Sequence, residues 1–144
     1  LRRSGGDAPP GTDPSPGLDA LPALLESFRA GGTAVESTTD GCPRPLSARV
    51  QLAAYRIVQE ALTNVSKHAP HASAAVAIAY APSDLTVEVT DDGPGAVELG
   101  AGHGLIGMRE RALAADGTFC AGPLEGGGFR VRASLPASES DGDT

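Results

Sequence analysis

Apolar and polar residues along the 144-residue chain follow two different periods. Residues 18–30 and 45–69 repeat apolar side chains every three to four positions, which is the period of an amphipathic helix. Residues 72–81 and 85–90 place small or β-branched side chains at alternate positions, with a short turn between the two segments. This alternation predicts two strands that form a hairpin.

The remaining pattern predicts one more helix and three more strands. A turn and a strand are expected over residues 31–39, and a helix that begins on glycines over residues 103–116. Residues 117–122 and 128–136 predict two closing strands joined by a glycine-rich turn. The order of these elements predicts an α/β fold, a two-layer α/β sandwich with helices packed on one face of a mixed, mostly antiparallel sheet.

The two ends of the chain differ in composition from the part between them. Residues 1–17 are rich in glycine and proline and predict a linker, because proline removes backbone donors and glycine disfavours regular structure. Residues 137–144 are small, polar and acidic, which predicts a disordered tail. We therefore expect one domain over residues 18–136, with a linker that follows an earlier segment of a longer protein.

The charge and the cysteine content of the chain disfavour several kinds of partner and binding site. The net charge of −7 disfavours nucleic acid and anionic membranes as partners, although a phosphate ligand remains compatible with it. Cys42 and Cys120 are isolated, so we expect reduced thiols and neither a disulfide framework nor a zinc site. No apolar run has membrane-spanning length and no signal peptide is evident, so we expect a cytoplasmic domain.

A polar stripe lies near the end of the long helix, in the segment QEALTNVSKHAP at residues 59–70. At about 100° per residue, Glu60, Asn64, Lys67 and His68 fall within an arc of about 100°, and the apolar side chains fill a neighbouring arc. Such stripes are usually solvated surface. Asparagine is a poor helix former, however, and a solvated helix face does not need one. The stripe alone leaves a surface role and a functional role open.

Two glycine motifs follow the hairpin. In DDGPG, Gly93 and Gly95 allow a ligand to approach the backbone beside the Asp91 carboxylate, although such residues also form ordinary turns. The segment GHGLIG at residues 102–107 has the spacing of a dinucleotide fingerprint, but no strand directly precedes it and no βαβ unit surrounds it. Signatures of a P-loop or a protein-kinase glycine loop are also missing. What remains is a helix whose free N-terminal amides suit a phosphate.

The ordered set of motifs resembles the ATP-binding catalytic domain of bacterial sensor histidine kinases, in the wider group that includes gyrase, the Hsp90 chaperones and MutL. The set comprises EALTNVSKH on a helix, DDGPG at the end of a strand, and GHGLIGMRER at the start of a helix. YRIVQEALTNVSKHA and GLIGMRERA are most similar to the NarL/DesK-type subfamily of two-component kinases. The resemblance covers about residues 17–136 and implies the Bergerat-type ATP-binding fold.

The resemblance also implies a role for each motif residue. Asn64 would ligate the Mg²⁺ that bridges the ATP phosphates, because a hard cation prefers oxygen ligands. Glu60 would position a metal-bound water or assist proton removal from the acceptor histidine. Lys67 and His68 would face the phosphates, and Asp91 would accept a hydrogen bond from the adenine amino group. The glycine boxes would pass the base and close over the triphosphate; their residues are Gly93, Gly95, Gly102, Gly104, Leu105 and Gly107.

Two features depart from the family pattern. Related domains often carry a threonine near the adenine where this chain has a run of glycines followed by Phe129. The histidines His68, His71 and His103 do not lie on a dimerisation helix ahead of the domain. The resemblance therefore implies that the phosphoacceptor histidine belongs to another part of the parent kinase, and that this chain does not phosphorylate itself.

The function that the resemblance implies is that of an ATP-dependent protein-histidine kinase domain with ATP and Mg²⁺ as its cofactors. Its partners would be ATP or ADP, the dimerisation and phosphoacceptor domain of the parent kinase, and indirectly a response regulator. We expect no nucleic-acid partner, a monomeric isolated domain, and a cytosolic location whether or not the parent kinase has a membrane anchor. Two alternatives remain open: a nucleotide-binding regulatory module without transfer activity, and a serine kinase of the anti-sigma-factor type.

Overall fold

The computed structural model describes residues 16–93 and 105–137 of the chain. The described residues form three α-helices: α1 (Leu21–Ala30), α2 (Ala48–His68) and α3 (Leu105–Ala114). A short 3-10 turn at Leu18–Ala20 directly precedes α1. The five strands are β1 (Ala34–Asp40), β2 (Ser73–Tyr80), β3 (Asp84–Asp91), β4 (Thr118–Pro123) and β5 (Phe129–Pro136). Every helix and strand that the sequence predicts is present, with shifts of a few residues at the ends.

The five strands form one sheet in the order β1-β2-β3-β5-β4. β1 pairs parallel with β2, and the other three pairs are antiparallel. The predicted hairpin is therefore confirmed as β2–β3, and so is the mixed, mostly antiparallel sheet. β3 and β5 lie side by side over the whole of their lengths, from Asp84 opposite Pro136 to Asp91 opposite Phe129.

The helix α2 begins three residues later than the sequence predicts. Ser47 caps it, because the Ser47 side chain accepts a hydrogen bond from the backbone N–H of Val50 at 3.3 Å. Leu46, which was assigned to the helix, is buried ahead of it and accepts a hydrogen bond from the Gln51 side chain. The helix ends at His68, one residue before the predicted end and two before Pro70.

The helix α3 is shorter than the predicted residues 103–116. Its described part begins at Leu105 and ends at Ala114. Asp116 has a φ of 64°, in the left-handed region where a right-handed helix cannot continue. The chain then turns at Gly117 into β4.

The core lies between the helices and one face of the sheet. In β3, Leu85, Val87 and Val89 are buried while the alternate side chains are partly exposed, so this strand presents one face to the helices. The apolar arc of α2 covers that face with side chains that are all buried: Val50, Ala53, Ala54, Ile57, Val58, Ala61, Leu62 and Val65. The two-layer arrangement is confirmed, and small aliphatic residues fill most of it.

Ala137, the last described residue before the C-terminus, packs against the domain. Ala137, which was assigned to the acidic tail, is fully buried, and its N–H donates to the carbonyl oxygen of Ser83 at 3.0 Å. The Arg44 guanidinium also donates to the Ala137 carbonyl oxygen. The rest of the predicted tail and residues 1–15 of the predicted linker lie outside the described residues.

Two further properties concern the described residues. Cys42 and Cys120 are both free and exposed. None of the helices in the described segments is long and apolar enough to cross a membrane.

Candidate functional site

A cleft lies between the C-terminal half of α2 and the strands β3 and β5, and we call it the α2–β3 cleft. It holds about 380 Å³ of space, part of which is open to solvent. Its polar lining groups are few, and most of the wall is apolar, as is typical of small-molecule sites. The lining residues are Ala61, Asn64, Val65, His68, Ala69, Val89, Asp91, Phe129 and Val131.

Asp91 is the last residue of β3 and supplies the carboxylate of this cleft. Its Oδ1 accepts a hydrogen bond from the backbone N–H of Gly93 at 2.8 Å, which fixes the orientation of the group. Burial raises the pKa of Asp91, the Gly93 hydrogen bond lowers it, and the nearby Asp92 charge raises it, so that the net shift is upward. The sequence placed this carboxylate at a strand end beside a glycine turn, and the structure has it there.

Gly93 has a steric role as well. A Cβ at this position would lie 2.8 Å from the Cβ of Ala69 and 3.1 Å from Asp91 Oδ1. Only a glycine lets the end of β3 pass so close to the end of α2 while donating its N–H to the carboxylate. Gly93 is therefore needed to shape this end of the cleft.

The glycine run before β5 also acts on Asp91, which the sequence did not reveal. Gly128 has a φ of +100°, and a Cβ on it would collide with the carbonyl oxygen of Asp91. The next residue, Phe129, pairs with Asp91 across the sheet and its ring lines the cleft. Phe129 thus contributes an aromatic residue to the wall of the cleft. The run of three glycines was the available signal, since such a run often marks a close backbone approach.

The structure divides the polar stripe of α2 between two surroundings. Asn64 and His68 line the α2–β3 cleft, together with Asp91. Lys67 is exposed and is not part of the cleft lining. Glu60, one turn before Asn64, is also outside the lining and faces α3 instead. The stripe is therefore neither uniformly solvated surface nor one continuous binding face.

Glu60 makes its described contacts with α3. Arg111 Nη2 donates to Glu60 Oε2 at 3.3 Å, with 41% of the arginine and 29% of the glutamate side chain exposed. The other oxygen, Oε1, is buried and has no hydrogen-bond partner within the described part of the chain. A Cβ on Gly107 would lie 3.1 Å from Oε1. The sequence did not single out Arg111, although its place one turn after Gly107 puts both residues on one face of α3.

Parts of both glycine boxes are outside the structure's described range. Gly95, Gly102 and Gly104 fall in residues 94–104, so their predicted roles stay predictions. Leu105 is the first described residue of α3 and packs, partly buried, against the hydrophobic core. Gly107 lies inside the helix, next to the Glu60 carboxylate.

The polar groups of the cleft fit a cation that is bound mainly by a small molecule and only to a small extent by protein side chains. Across residues 16–93 and 105–137, no group of three or more His, Cys, Asp or Glu residues could hold a metal ion. Asn64 offers an amide oxygen at the cleft, next along α2 to the unpartnered oxygen of Glu60. Mg²⁺ commonly binds through phosphate oxygens, water and only one or two protein oxygens. The residues therefore fit a magnesium–nucleotide complex better than a metal site formed by protein alone.

Known proteins with similar sequences include sensor histidine kinases and a nitrate/nitrite sensor protein. The chain is 44% identical over 82 residues to the sensor histidine kinase YxjM of Bacillus subtilis, covering 57% of this chain and 20% of that protein. It is 31% identical to the sensor histidine kinase LnrJ of the same organism, over 82% of this chain and 30% of LnrJ. With the nitrate/nitrite sensor protein NarQ of Escherichia coli, identity is 33% over 85% of this chain and 22% of NarQ. The chain thus spans less than a third of each of these relatives.

Solved structures show the same fold at lower sequence identity. The blue-light activated histidine kinase EL346 of Erythrobacter litoralis matches with a TM-score of 0.64 and 21% identity, over 84% of this chain and 42% of that one. The mycobacterial sensor histidine kinase MprB matches with a TM-score of 0.61 and 19% identity, over 83% of this chain and 95% of that one.

The family model that matches this chain covers the helix, strands and glycines of the site. It is described as the histidine kinase-, DNA gyrase B-, and HSP90-like ATPase, and it matches residues 49–139. The match includes nearly all of α2 and extends through β5. Because this model covers more than half of the chain, the chain belongs to the histidine kinase-, DNA gyrase B- and HSP90-like ATPase family.

Proposed function

We propose that this chain is the catalytic domain of a two-component sensor histidine kinase. It binds Mg·ATP in the α2–β3 cleft and donates the γ-phosphate to a histidine elsewhere in the parent kinase. The observation that carries the proposal is the Asp91 carboxylate, which Gly93 orients at one end of an apolar cleft that also contains Asn64. A fixed acceptor and an amide in the same cleft suit the base and the phosphates of one nucleotide.

The adenine end of the proposed site is formed by Asp91 and apolar walls. An ionised carboxylate is a hydrogen-bond acceptor only, which suits the exocyclic amino group of adenine. Val89, Val131 and the ring of Phe129 line the same cleft and offer apolar surface to the faces of the base. Both ATP and ADP carry the base, so this end would bind them equally well.

The phosphate end would be formed by the second half of the α2 stripe. Asn64 would hold Mg²⁺ through its side-chain oxygen, and His68 and Lys67 would lie toward the phosphate oxygens. When bound, the magnesium ion neutralises negative charge on the phosphates. Most of the rate enhancement would come from positioning and charge stabilisation, as in other phosphoryl transfers.

The transfer step that we propose joins ATP to a histidine side chain. A lone pair of a neutral imidazole nitrogen attacks the γ-phosphorus, and the bond to the bridging oxygen breaks with its electron pair leaving on ADP. The remaining N–H proton of the phosphorylated imidazole passes to a base. We assign Glu60 to that proton transfer, either directly or through a water molecule that it orients.

The rest of the parent kinase would supply what this domain lacks. The relatives YxjM, LnrJ and NarQ are named as sensors, and this chain spans between 20% and 30% of their lengths. We infer that the parent protein carries a dimerisation and phosphoacceptor domain, and that a response regulator receives the phosphoryl group. In such a kinase this domain would lie on the cytosolic side, where ATP is available.

Nucleotide titration of an Asp91→Asn variant tests the binding half of the proposal. Asparagine keeps an oxygen for the Gly93 N–H but can turn a donor toward the adenine amine. We expect affinity for ATP and ADP to fall alike, by about tenfold or more, since an unmatched buried polar group costs about 1–3 kcal/mol. Asp92→Asn is the matched control, because Asp92 is exposed and is not part of the cleft lining. Unchanged ADP affinity in Asp91→Asn would show that Asp91 is only a turn residue.

Labelling with radioactive ATP tests the transfer half. Alone, the chain should bind ATP without labelling itself. Mixed with the dimerisation domain of its parent kinase, it should label that domain slowly, because the tether that raises the effective concentration is missing. The label should be acid-labile and base-stable, as expected for a phosphoramidate. An acid-resistant label would point to a hydroxyl acceptor and a serine kinase, and ATP binding without any transfer would point to a regulatory module.

A further inference from the structure

We propose that Arg111 and Gly107 are positioning residues that set the orientation of the Glu60 carboxylate for the transfer step. This inference rests on the proposed kinase function and on the role of Glu60 in it. The two residues lie one turn apart on α3, on the face turned toward α2. Arg111 donates a hydrogen bond to Oε2 of Glu60, and Gly107 leaves room for Oε1.

The ion pair between Arg111 and Glu60 joins two helices that are far apart in the sequence. Arg111 Nη2 lies 3.3 Å from Glu60 Oε2, and 41% of the arginine side chain is exposed. Ion pairs as exposed as this one contribute little to folding stability. Its effect is therefore mainly geometric: it restricts rotation of the carboxylate about its last side-chain bond.

The second oxygen of Glu60 has no partner among residues 16–93 and 105–137. Oε1 of Glu60 is buried and accepts no hydrogen bond from any residue in the described segments. Nearly all buried polar atoms in proteins are paired, and an unpaired one is costly and calls for an explanation. An oxygen that is held ready for a proton or a water molecule in the transfer complex explains it.

Gly107 gives that oxygen its space. A Cβ at this position would lie 3.1 Å from Oε1, which is closer than an ordinary van der Waals contact. Glycine weakens the interior of a helix relative to alanine. A glycine inside α3 at this position is therefore consistent with a need for space beside the carboxylate.

Arg111 does not line the α2–β3 cleft, so its variants separate chemistry from binding. In the parent kinase, Arg111→Met should lower kcat for histidine phosphorylation by about tenfold to a hundredfold, because a misplaced catalytic group costs that much. The KM for ATP and the ATP affinity should stay close to wild type. Arg111→Lys keeps the charge without the planar fork and should restore part of the lost kcat.

The matched control is Arg109→Met. Arg109 also lies on α3 and is exposed, but its guanidinium sits over the ring of Phe119, away from Glu60. Its removal should leave kcat nearly unchanged. Gly107→Ala should reduce kcat in the same way as Arg111→Met, since its methyl group would press on Oε1.

A double-mutant cycle gives the decisive measurement. If Arg111 acts through Glu60, adding Arg111→Met to Glu60→Gln should reduce kcat little beyond Glu60→Gln alone. If the two losses multiply, Arg111 acts independently and the inference is overturned. A rise in KM with kcat unchanged, or no partial recovery in Arg111→Lys, would overturn it as well. By contrast, wild-type kinase that forms no acid-labile label would refute the kinase function itself.

Discussion

The polar stripe of α2 has two sides with different surroundings: one side faces the α2–β3 cleft and the other faces α3. On one side, Asn64 and His68 share an apolar cleft with Asp91 and Phe129. On the other side, Glu60 pairs with Arg111 on α3, and one of its oxygens is buried without a partner among the described residues. We propose that the first side binds the nucleotide and that the second takes part in proton transfer. One turn of helix therefore separates the group that we assign to the nucleotide from the group that we assign to the chemistry.

The largest effect that we expect on this comparison comes from Glu60→Gln. The variant should lower histidine phosphorylation by about a hundredfold or more, as loss of a general acid–base group does. ATP affinity should change little, because Glu60 lies outside the cleft lining. Rates of phosphorylation in the parent kinase and a separate ATP titration measure the two quantities.

Glu110→Gln is the control for this variant. Glu110 is an exposed carboxylate on α3, and the same change of charge there should leave the rate near that of wild type. A parallel loss of binding and transfer in Glu60→Gln would remove the distinction between the two sides of α2.

Asn64→Asp probes the other side and should have the next largest effect. A carboxylate in place of the amide changes the charge beside the proposed magnesium ion and the phosphates, and we expect the affinity for Mg·ATP to change about tenfold, equivalent to about 1.4 kcal/mol. The fold should stay intact because Asn64 lies at the cleft and not in the core. Calorimetric titration with and without Mg²⁺ measures both the affinity and its metal dependence.

Gln59→Glu is the control for Asn64→Asp. It adds one negative charge to the same helix, at a residue that is outside the cleft lining. If Asn64→Asp leaves both the affinity and the metal dependence as they are in wild type, Asn64 is not a ligand of the cation.

Gly128→Ala should show that the shape of the cleft depends on a glycine that is far from Asp91 in the sequence but next to it in the fold. The φ of +100° disfavours alanine, and a Cβ would also collide with the Asp91 carbonyl oxygen. Strain of the first kind costs about 1–3 kcal/mol, and the collision should add to it and weaken ATP binding. Gly127→Ala is the matched control, because its φ is +113° but nothing lies within 4 Å of its Cβ position. Urea unfolding curves of the two variants should differ; equal losses of stability would mean that the collision is relieved by a small shift.

The smallest expected effect is a pH dependence of stability caused by Asp91. Burial raises the pKa of this carboxyl above its ordinary value in the folded protein. The carboxyl therefore contributes its full stability below the unfolded pKa, and this contribution is lost as the pH rises through the folded pKa. Relative to wild type, Asp91→Asn should gain a little stability as the pH rises from about 4 toward neutrality.

Urea unfolding at a series of pH values tests this, with Glu110→Gln as the control, because Glu110 is an exposed carboxylate on α3. Stability curves of wild type and Asp91→Asn that stay parallel over the whole range would contradict the upward shift. Together with the loss of nucleotide affinity, the expected gain would identify Asp91 as a residue that favours binding at some cost to the stability of the unliganded fold.

Local patterns in the sequence were enough to predict the elements and part of the cleft. The period of the apolar residues located α2 and the β2–β3 hairpin, because burial of one face requires that period in either kind of element. The same reasoning put Asp91 at the end of a strand, next to a glycine turn. Motif order, compared with a known family, then indicated the fold and the ATPase family, and both are confirmed.

Other features of the site depend on contacts between residues far apart in the sequence. Helical spacing put Glu60 and Asn64 on one stripe, but only the packing of α3 against α2 turned Glu60 away from the cleft and toward Arg111. The register of β3 with β5 decided that Phe129 lies opposite Asp91 and that Gly128 must lack a side chain. The start of α2 was also not predicted from the apolar period, because it is set by the Ser47 side chain, which accepts a hydrogen bond from the Val50 N–H. A periodic pattern records which face of an element is buried, whereas the partner of each side chain is decided by how the elements pack.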